Sequence, residues 1–334
     1  MASTRNFNKE ILFILSIDTE EEWDWSGPFP QQDFNVNNIA KLADLQKMCD
    51  EIGIKPTYFV DYAVADNSAS AEVIRSIVAG NRCEIGAHLH PWCNPPYFEY
   101  VGERESHVVN LPIEQVEQKL RALQSRLIEQ FGQSPRSFRT GRWGIDGKIM
   151  SLLVKHGFKI DSSIYPFYQS KYYSCQGAPN FPYWPSLNNP LKADTQDDIF
   201  ELPITAGFNH TNFELCEFFY RTLSHPAINW SRLIGIAWRT HLLRRIYLSP
   251  ELFGVDEMLS LCRVAIKKDY PVLHMFMHSS SLIDNNNSLV GNRDAYECIS
   301  GAIKQVVTKL QEENNIRFCT ISEAAEILQQ KEKC

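Results

Sequence analysis

Two histidines, His88 and His90, stand two residues apart at the end of the run Glu84-Ile85-Gly86-Ala87-His88-Leu89-His90. In an extended strand side chains alternate with period two, so both imidazoles project to one face. Such a pair supplies two nitrogen ligands for a divalent metal. A second apolar run, 11–17, ends in Asp18-Thr19-Glu20-Glu21-Glu22, where Asp18 and Glu20 share a parity. One carboxylate with two histidines can form a catalytic metal site that leaves a position open for water. The plainer alternatives are a solvated acidic loop, extending through Trp23, Asp24 and Trp25, and histidines bonded to backbone carbonyls. Other chemistry-bearing residues also follow apolar runs: Arg139 within Arg139-Thr140-Gly141-Arg142-Trp143, Asp161 before Ser162-Ser163, and His278 before three serines. His274 shares a face with His278 but lies deeper, which suits a core histidine. His107, His156, His210, His225 and His241 have no obvious acid partners and read as structural or surface residues.

These residues need a scaffold that brings strand ends together. Strand-length apolar segments at 11–17, 55–60, 83–89, 137–140, 158–161, 199–203, 272–277 and 316–320 alternate with amphipathic stretches at 39–52, 72–79, 113–131 and 295–311. In the third stretch, Val116, Leu120, Leu123 and Leu127 fall on one helical stripe, with Pro112 at its start and Gly132 at its stop. Thr320-Ile321-Ser322-Glu323 reads as a capping box. Seven or eight strands alternating with helices predict an α/β fold, a parallel (β/α) barrel of the TIM-barrel type, with its site at the C-terminal strand ends. Two segments break the rhythm: 165–198, rich in aromatic residues, Pro and Asn, and 209–250, a Trp- and Arg-bearing helical excursion. No repeat, low-complexity tract or linker interrupts the 334 residues, so a single barrel domain with two insertions is expected.

A net charge of −7 argues against a nucleic-acid partner, and 44% hydrophobic content suits a sizeable core. Nine scattered cysteines without a CxxC pair indicate neither a disulfide framework nor a thiolate metal site. The run 11–15 is too short to span a bilayer and leads into acids, so no transmembrane segment or signal peptide is read there. A cytoplasmic protein is the resulting expectation.

The five strand ends, taken in order, resemble the motifs of the polysaccharide deacetylase family (NodB-like, carbohydrate esterase family four). Ser16-Ile17-Asp18-Thr19-Glu20 is similar to its first motif and Glu84–His88 to its second. Phe138–Gly144, Asp161-Ser162-Ser163 and Leu273–His278 are similar to the third, fourth and fifth. The resemblance implies a distorted (β/α) barrel of seven or eight strands, a divalent metal, commonly zinc, and hydrolysis of an N-acetyl group from an amino sugar, a C–N bond other than a peptide bond. By similarity, Asp18 would be the base, Arg139 its partner, and His278 the acid with Asp161 on its other ring nitrogen. A backbone N–H near Arg142 would meet the oxyanion, while Trp143, Trp92 and Trp23 would either stack on sugar or pack the barrel mouth. Two positions depart from the family pattern. Thr19 stands where a second aspartate is usual, and Trp92 stands where the second histidine is usual. The ligands implied here are therefore Glu20, His88 and His90, with Asp18 open as base or ligand. A ureide or imide hydrolase on the same scaffold, and a barrel that binds glycans without catalysis, are the alternatives.

Overall fold

The computed structural model describes residues 9–23, 27–98, 101–230, 232–284 and 294–332. Asp24 and Trp25 of the acidic segment lie outside the described residues. All eight expected strands are present: β1 (Glu10–Thr19), β2 (Thr57–Val60), β3 (Glu84–Leu89), β4 (Ser137–Thr140), β5 (Ile160–Asp161), β6 (Phe200–Glu201), β9 (Val272–His278) and β10 (Asn315–Phe318). They form one all-parallel curled sheet. The expected parallel α/β barrel architecture is thus observed. A separate antiparallel hairpin, β7 (Ala206–Phe208) with β8 (Arg245–Tyr247), belongs to the excursion after β6.

The longest strand, β1, organises the rest because it is buried on both faces, as a central parallel strand must be. Along one edge Leu12–Asp18 pair with β9; the other edge is used in succession by β10 and β2. Between β6 and β9 the wall is completed by irregular chain. Thr205 N–H donates to the His274 carbonyl (3.0 Å), and the Leu248 N–H donates to the Thr205 carbonyl (2.9 Å).

Period-two alternation sorts the strand residues. Ile11, Phe13, Leu15 and Ile17 face the helices, whereas Leu12, Ile14, Ser16 and Asp18 share the opposite parity. That inner face changes character with height. At the bottom Leu12, Ile14, Phe59, Phe200 and Val272 pack against Ile321, Ala324, Ala325 and Leu328 of the C-terminal helix. Above them Ser16, Arg139 and His274 form a polar layer, and above that come Asp18, His88 and His278. Register sets these neighbours directly, since Asp18 pairs with His278 and His88 with Arg139.

The helix Ile113–Phe131 has the predicted bounds and stops at Gly132, whose φ of 71° suits a residue without Cβ. The Thr320 capping box forms reciprocally, Glu323 N–H to Thr320 Oγ1 and Thr320 N–H to Glu323 Oε2. Two helix starts differ from expectation. Asn37–Lys41 is a 3₁₀ turn before the helix Leu42–Ile52, and the helix expected from residue 72 begins at Ser68, where the Asn67 side chain caps two N–H groups.

Candidate active site

The end of β1 delivers Asp18 and Glu20, and the end of β3 delivers His88 and His90; all four are buried and line one cavity. Glu20 Oε2 lies 3.5 Å from His88 Nε2 and 3.3 Å from His90 Nε2. The ligand atoms of the three residues fall within 4.8 Å of one another. Both rings are held by their far nitrogen, His88 Nδ1 by the Arg139 carbonyl (3.1 Å) and His90 Nδ1 by Glu21 Oε2 (3.0 Å). Each acceptor fixes a proton on Nδ1, so that Nε2 faces Glu20 and is the atom each ring can offer to a cation between them. Glu20 Oε1 and His90 Nε2 are buried without a hydrogen bond. Orphaned, convergent O and N atoms of this kind fit a divalent metal. Burial opposes the charge of Glu20, but the His278 charge and the nearby His88 and His90 rings outweigh it and hold the carboxyl far below its usual range. Its backbone is pinned as well, its N–H bonding Ser279 Oγ (3.1 Å) and its carbonyl accepting from Asn38 Nδ2 (2.8 Å).

Behind His90 lies a shell the sequence did not reveal. Glu21 accepts from Trp92 Nε1 (2.5 Å) as well as from His90, and its N–H donates to Asp61 Oδ2 (3.1 Å). Burial and the Glu21 charge push the Asp61 carboxyl well up, so Asp61 carries the proton of this pair while His90 holds Glu21 as the carboxylate. Trp92 is therefore no sugar platform: it is wholly buried, stacked on His90 at 4.3 Å and packed by Trp23 and Phe29. Its indole faces the ligand shell rather than the cavity because its N–H needs the Glu21 carboxylate.

Arg139 occupies the centre of the polar layer. Nη1 donates to Asp18 Oδ1 (2.6 Å), Nε to the Ser162 carbonyl (3.0 Å) and Nη2 to Ser16 and Ser162 Oγ (2.9 Å each). Its guanidinium also lies over the Phe59 ring at 4.4 Å. His274 lies beside it as expected of a core residue, held neutral by burial and by the Arg139 charge. Asp18 thus has one oxygen fixed by Arg139, while its other oxygen lies 3.7 Å from His278 Nε2.

The partner of His278 is not Asp161. Its Nδ1 bonds Glu251 Oε2 (3.0 Å), and its backbone N–H donates to Glu251 Oε1 (2.7 Å). Asp161 accepts from Ser163 Oγ (2.7 Å) and lies beside Glu201, bracing the loop in which Ser163 Oγ receives the Thr140 N–H. Burial pushes both carboxyls of that pair up, so Asp161 is an interior brace. Glu251 comes from the turn after β8, where no motif spacing marked it. Burial opposes a charge on His278, but Glu251, Glu20 and Asp18 raise its pKa to about 9.

The far wall is aromatic. Trp143 stacks on Tyr165 at 4.7 Å and Tyr165 on Tyr247 at 4.4 Å, with Tyr168, Tyr173 and Trp23 completing the lining. Arg142 also lines the cavity and donates to Ser106 Oγ (2.7 Å). Arg142, Trp143 and Gly144 have successive positive φ values of 60°, 59° and 82°; for the first two this is sterically costly backbone of the kind stored at functional sites. His107, expected to be structural, lines the same cavity, bonds the Arg142 carbonyl (3.2 Å) and is pushed down to about 4 by burial and Arg142. Of the other histidines, His156 does have an acid partner, Glu117 at 3.1 Å, away from the cavity. At Gly141 a Cβ would overlap the His90 ring and the Leu89 carbonyl. Gly141→Ala is expected to weaken metal affinity by ~10–100-fold, the range of changes that misplace a ligand from behind. Calorimetric metal titration checks this, and an unchanged affinity would show that His90 does not need its present position.

No protein-family model and no curated protein matches this chain. Solved structures do. One assigned as a polysaccharide deacetylase from Mycobacterium smegmatis aligns at TM-score 0.55 with 14% identity, covering 99% of this chain and 94% of the other. One assigned as a glycoside hydrolase/deacetylase from Parabacteroides distasonis aligns at 0.60 with 14% identity, covering 98% and 73%. PuuE allantoinase aligns at 0.51 with 15% identity, covering 95% and 89%. The motif order read from the sequence and the architecture agree, and the fold of this chain is that of the polysaccharide deacetylases.

Proposed function

We propose that this protein is a metal-dependent hydrolase that removes an N-acetyl group from an amino sugar of a glycan or glycan precursor. The observation that carries this reading is the convergence of three sets on one cavity: Glu20 with two Nε2-presenting histidines, Asp18 fixed by Arg139, and His278 fixed by Glu251. A divalent metal held by Glu20, His88 and His90, zinc by its N/O ligand set, would supply carbonyl polarisation and a water of lowered pKa. Asp18, with one oxygen tied to Arg139, has the other oriented toward the cavity to accept the proton of the attacking water. His278, cationic at neutral pH, donates its Nε2 proton to the departing amine, and Glu251 keeps Nδ1 protonated throughout. Trp143 and Tyr165 offer flat faces for the apolar side of a sugar ring, and Arg142 offers a cation at the rim.

The cavity, about 230 Å³, is smaller than the ~300–1,000 Å³ of drug-sized pockets, which suits a single ring at the reacting position. That size also favours a second reading, hydrolysis of a small cyclic ureide or imide. Metal-loaded protein incubated with N-acetylated amino sugars should release acetate, and His278→Ala should abolish release with the metal retained. Acetate release that persists in that variant removes His278 as the acid. Turnover of a cyclic ureide with none of any amino sugar decides for the second reading.

A further inference from the structure

The excursion between β7 and β8 carries a surface that the cavity does not use. Its helices Phe213–Ser224, Pro226–Asn229 and Leu233–Arg239 pack on one another and join the barrel through few anchors. The first helix turns Phe213 and Cys216 inward, yet Phe218 is 63% exposed on its outer side. The last, Leu-Ile-Gly-Ile-Ala-Trp-Arg, is apolar in sequence and buries none of its residues fully. Trp230 is 82%, Ile236 54% and Leu242 68% exposed. Seven of the eleven large apolar side chains exposed among the described residues belong to this one excursion. A surface concentration of that kind marks an interaction site.

Charge identifies the partner. The excursion 213–242 carries Arg221, Arg232 and Arg239 against Glu214 and Glu217, and from 218 onward it holds no Asp or Glu, within a chain of net charge −7. Arg244 is used internally, pairing with Glu257 at 2.7 Å, and Arg245 donates to the Phe167 carbonyl. Arg221, Arg232 and Arg239 are exposed beside the apolar side chains. The two acids of the excursion, Glu214 and Glu217, lie on the first helix, where burial raises the Glu217 carboxyl against the opposing charges of Arg221 and Arg245. Exposed Trp, Phe and Leu interspersed with arginine suit the interface of an anionic bilayer, where aromatic rings sit at headgroup level and arginine meets lipid phosphate. A second copy of this chain fits less well, because a two-fold contact would set the arginines against one another with few acids to answer them. No helix among the described residues is long and apolar enough to cross a membrane, so the contact is peripheral.

We propose that the excursion 213–242 docks this protein on the surface of an anionic lipid bilayer. The surface stands on its own observations and does not depend on the reaction assigned to the cavity. It is linked to it through Arg245, which lies over the ring of Tyr220 on the first helix at 4.4 Å and beside Tyr247, itself stacked on Tyr165 of the cavity wall.

Co-sedimentation of the full chain with phosphatidylglycerol-containing vesicles tests this, with pure phosphatidylcholine vesicles alongside. Binding to the anionic vesicles is expected, with much weaker binding to the zwitterionic ones and loss at high salt. Arg232→Gln should lower the partition coefficient about five-fold, and Trp230→Ser with Ile236→Ser about ten-fold or more, at an unchanged melting temperature. Absence of binding, or equal binding by these variants, overturns the proposal. So does light scattering that shows a dimer converted to monomer by the apolar substitutions, which would assign the face to a second copy.

Discussion

Replacing Glu20 by Gln should cost the protein its metal, whereas replacing Asp18 by Asn should cost it turnover and leave the metal in place. The contrast follows from where the two carboxylates lie. Glu20 is within 3.3–3.5 Å of both free imidazole nitrogens, with one oxygen making no hydrogen bond. Asp18 instead has Oδ1 committed to Arg139 at 2.6 Å and Oδ2 near His278. Glu20→Gln removes the ligand charge, so metal affinity should fall by more than the ~10–100-fold typical of outer-shell changes. Asp18→Asn keeps an acceptor for Arg139 but cannot take a proton, so kcat/KM should fall by ~10²–10⁴-fold, the usual contribution of a general base. Elemental analysis and metal titration read the first effect; steady-state kinetics on metal-loaded variants read the second. The reversed pattern, metal lost from Asp18→Asn and kept by Glu20→Gln, would make Asp18 the ligand and leave Glu20 as the base candidate. Melting temperature guards the comparison, because breaking a buried ion pair outright costs about 3–5 kcal/mol.

The second large effect concerns pH. His278 has its pKa raised to about 9 against the burial that disfavours its charge, with the Glu251 carboxylate the strongest of the groups that raise it. A proton donor works only while protonated, so activity should persist through neutrality and decline above about pH 9. Glu251→Gln keeps a hydrogen-bond acceptor but removes the charge, and the alkaline limb should move down by about one unit or more. Each unit corresponds to roughly ten-fold lower activity at a fixed pH above the limb. Stability has the same sign. The folded pKa lies above the ordinary value of 6.5, so the His278 contribution is fully present below that pH and is lost as pH rises through about 9. An alkaline limb that stays in place in Glu251→Gln would show that Glu251 does not support the acid, whatever the hydrogen-bond geometry.

Much of the barrel could be read from residue types because the signals are local. A central parallel strand opens on a continuous apolar run, as 11–15 does, and the helix 113–131 shows its stripe, its start and its stop within one window. Period-two parity is local as well, which is why Asp18 with Glu20 and His88 with His90 could be assigned to common faces. The helix starts at Leu42 and Ser68 escaped because a 3₁₀ turn and an asparagine cap compete with hydrophobic periodicity there.

Partnership across the barrel is a different kind of information. Nothing in the spacing of Glu251 connects it with His278, 27 residues away; β8 and the turn after it bring the two together. Asp161 has the right type and a plausible motif, but its strand ends beside Glu201, and its oxygens accept from the Ser163 N–H and Oγ rather than from a histidine. Trp92 is adjacent to the ligand strand in sequence, yet the buried Glu21 captures its indole and turns it into the wall behind His90. The sequence by itself determined which strand ends carry acids, imidazoles and arginine, because those follow from alternation along single strands. Tertiary structure alone decided which of them hold one another, because a buried charge or donor takes the partner that packing brings within about 3 Å, however far apart in the chain the two residues lie.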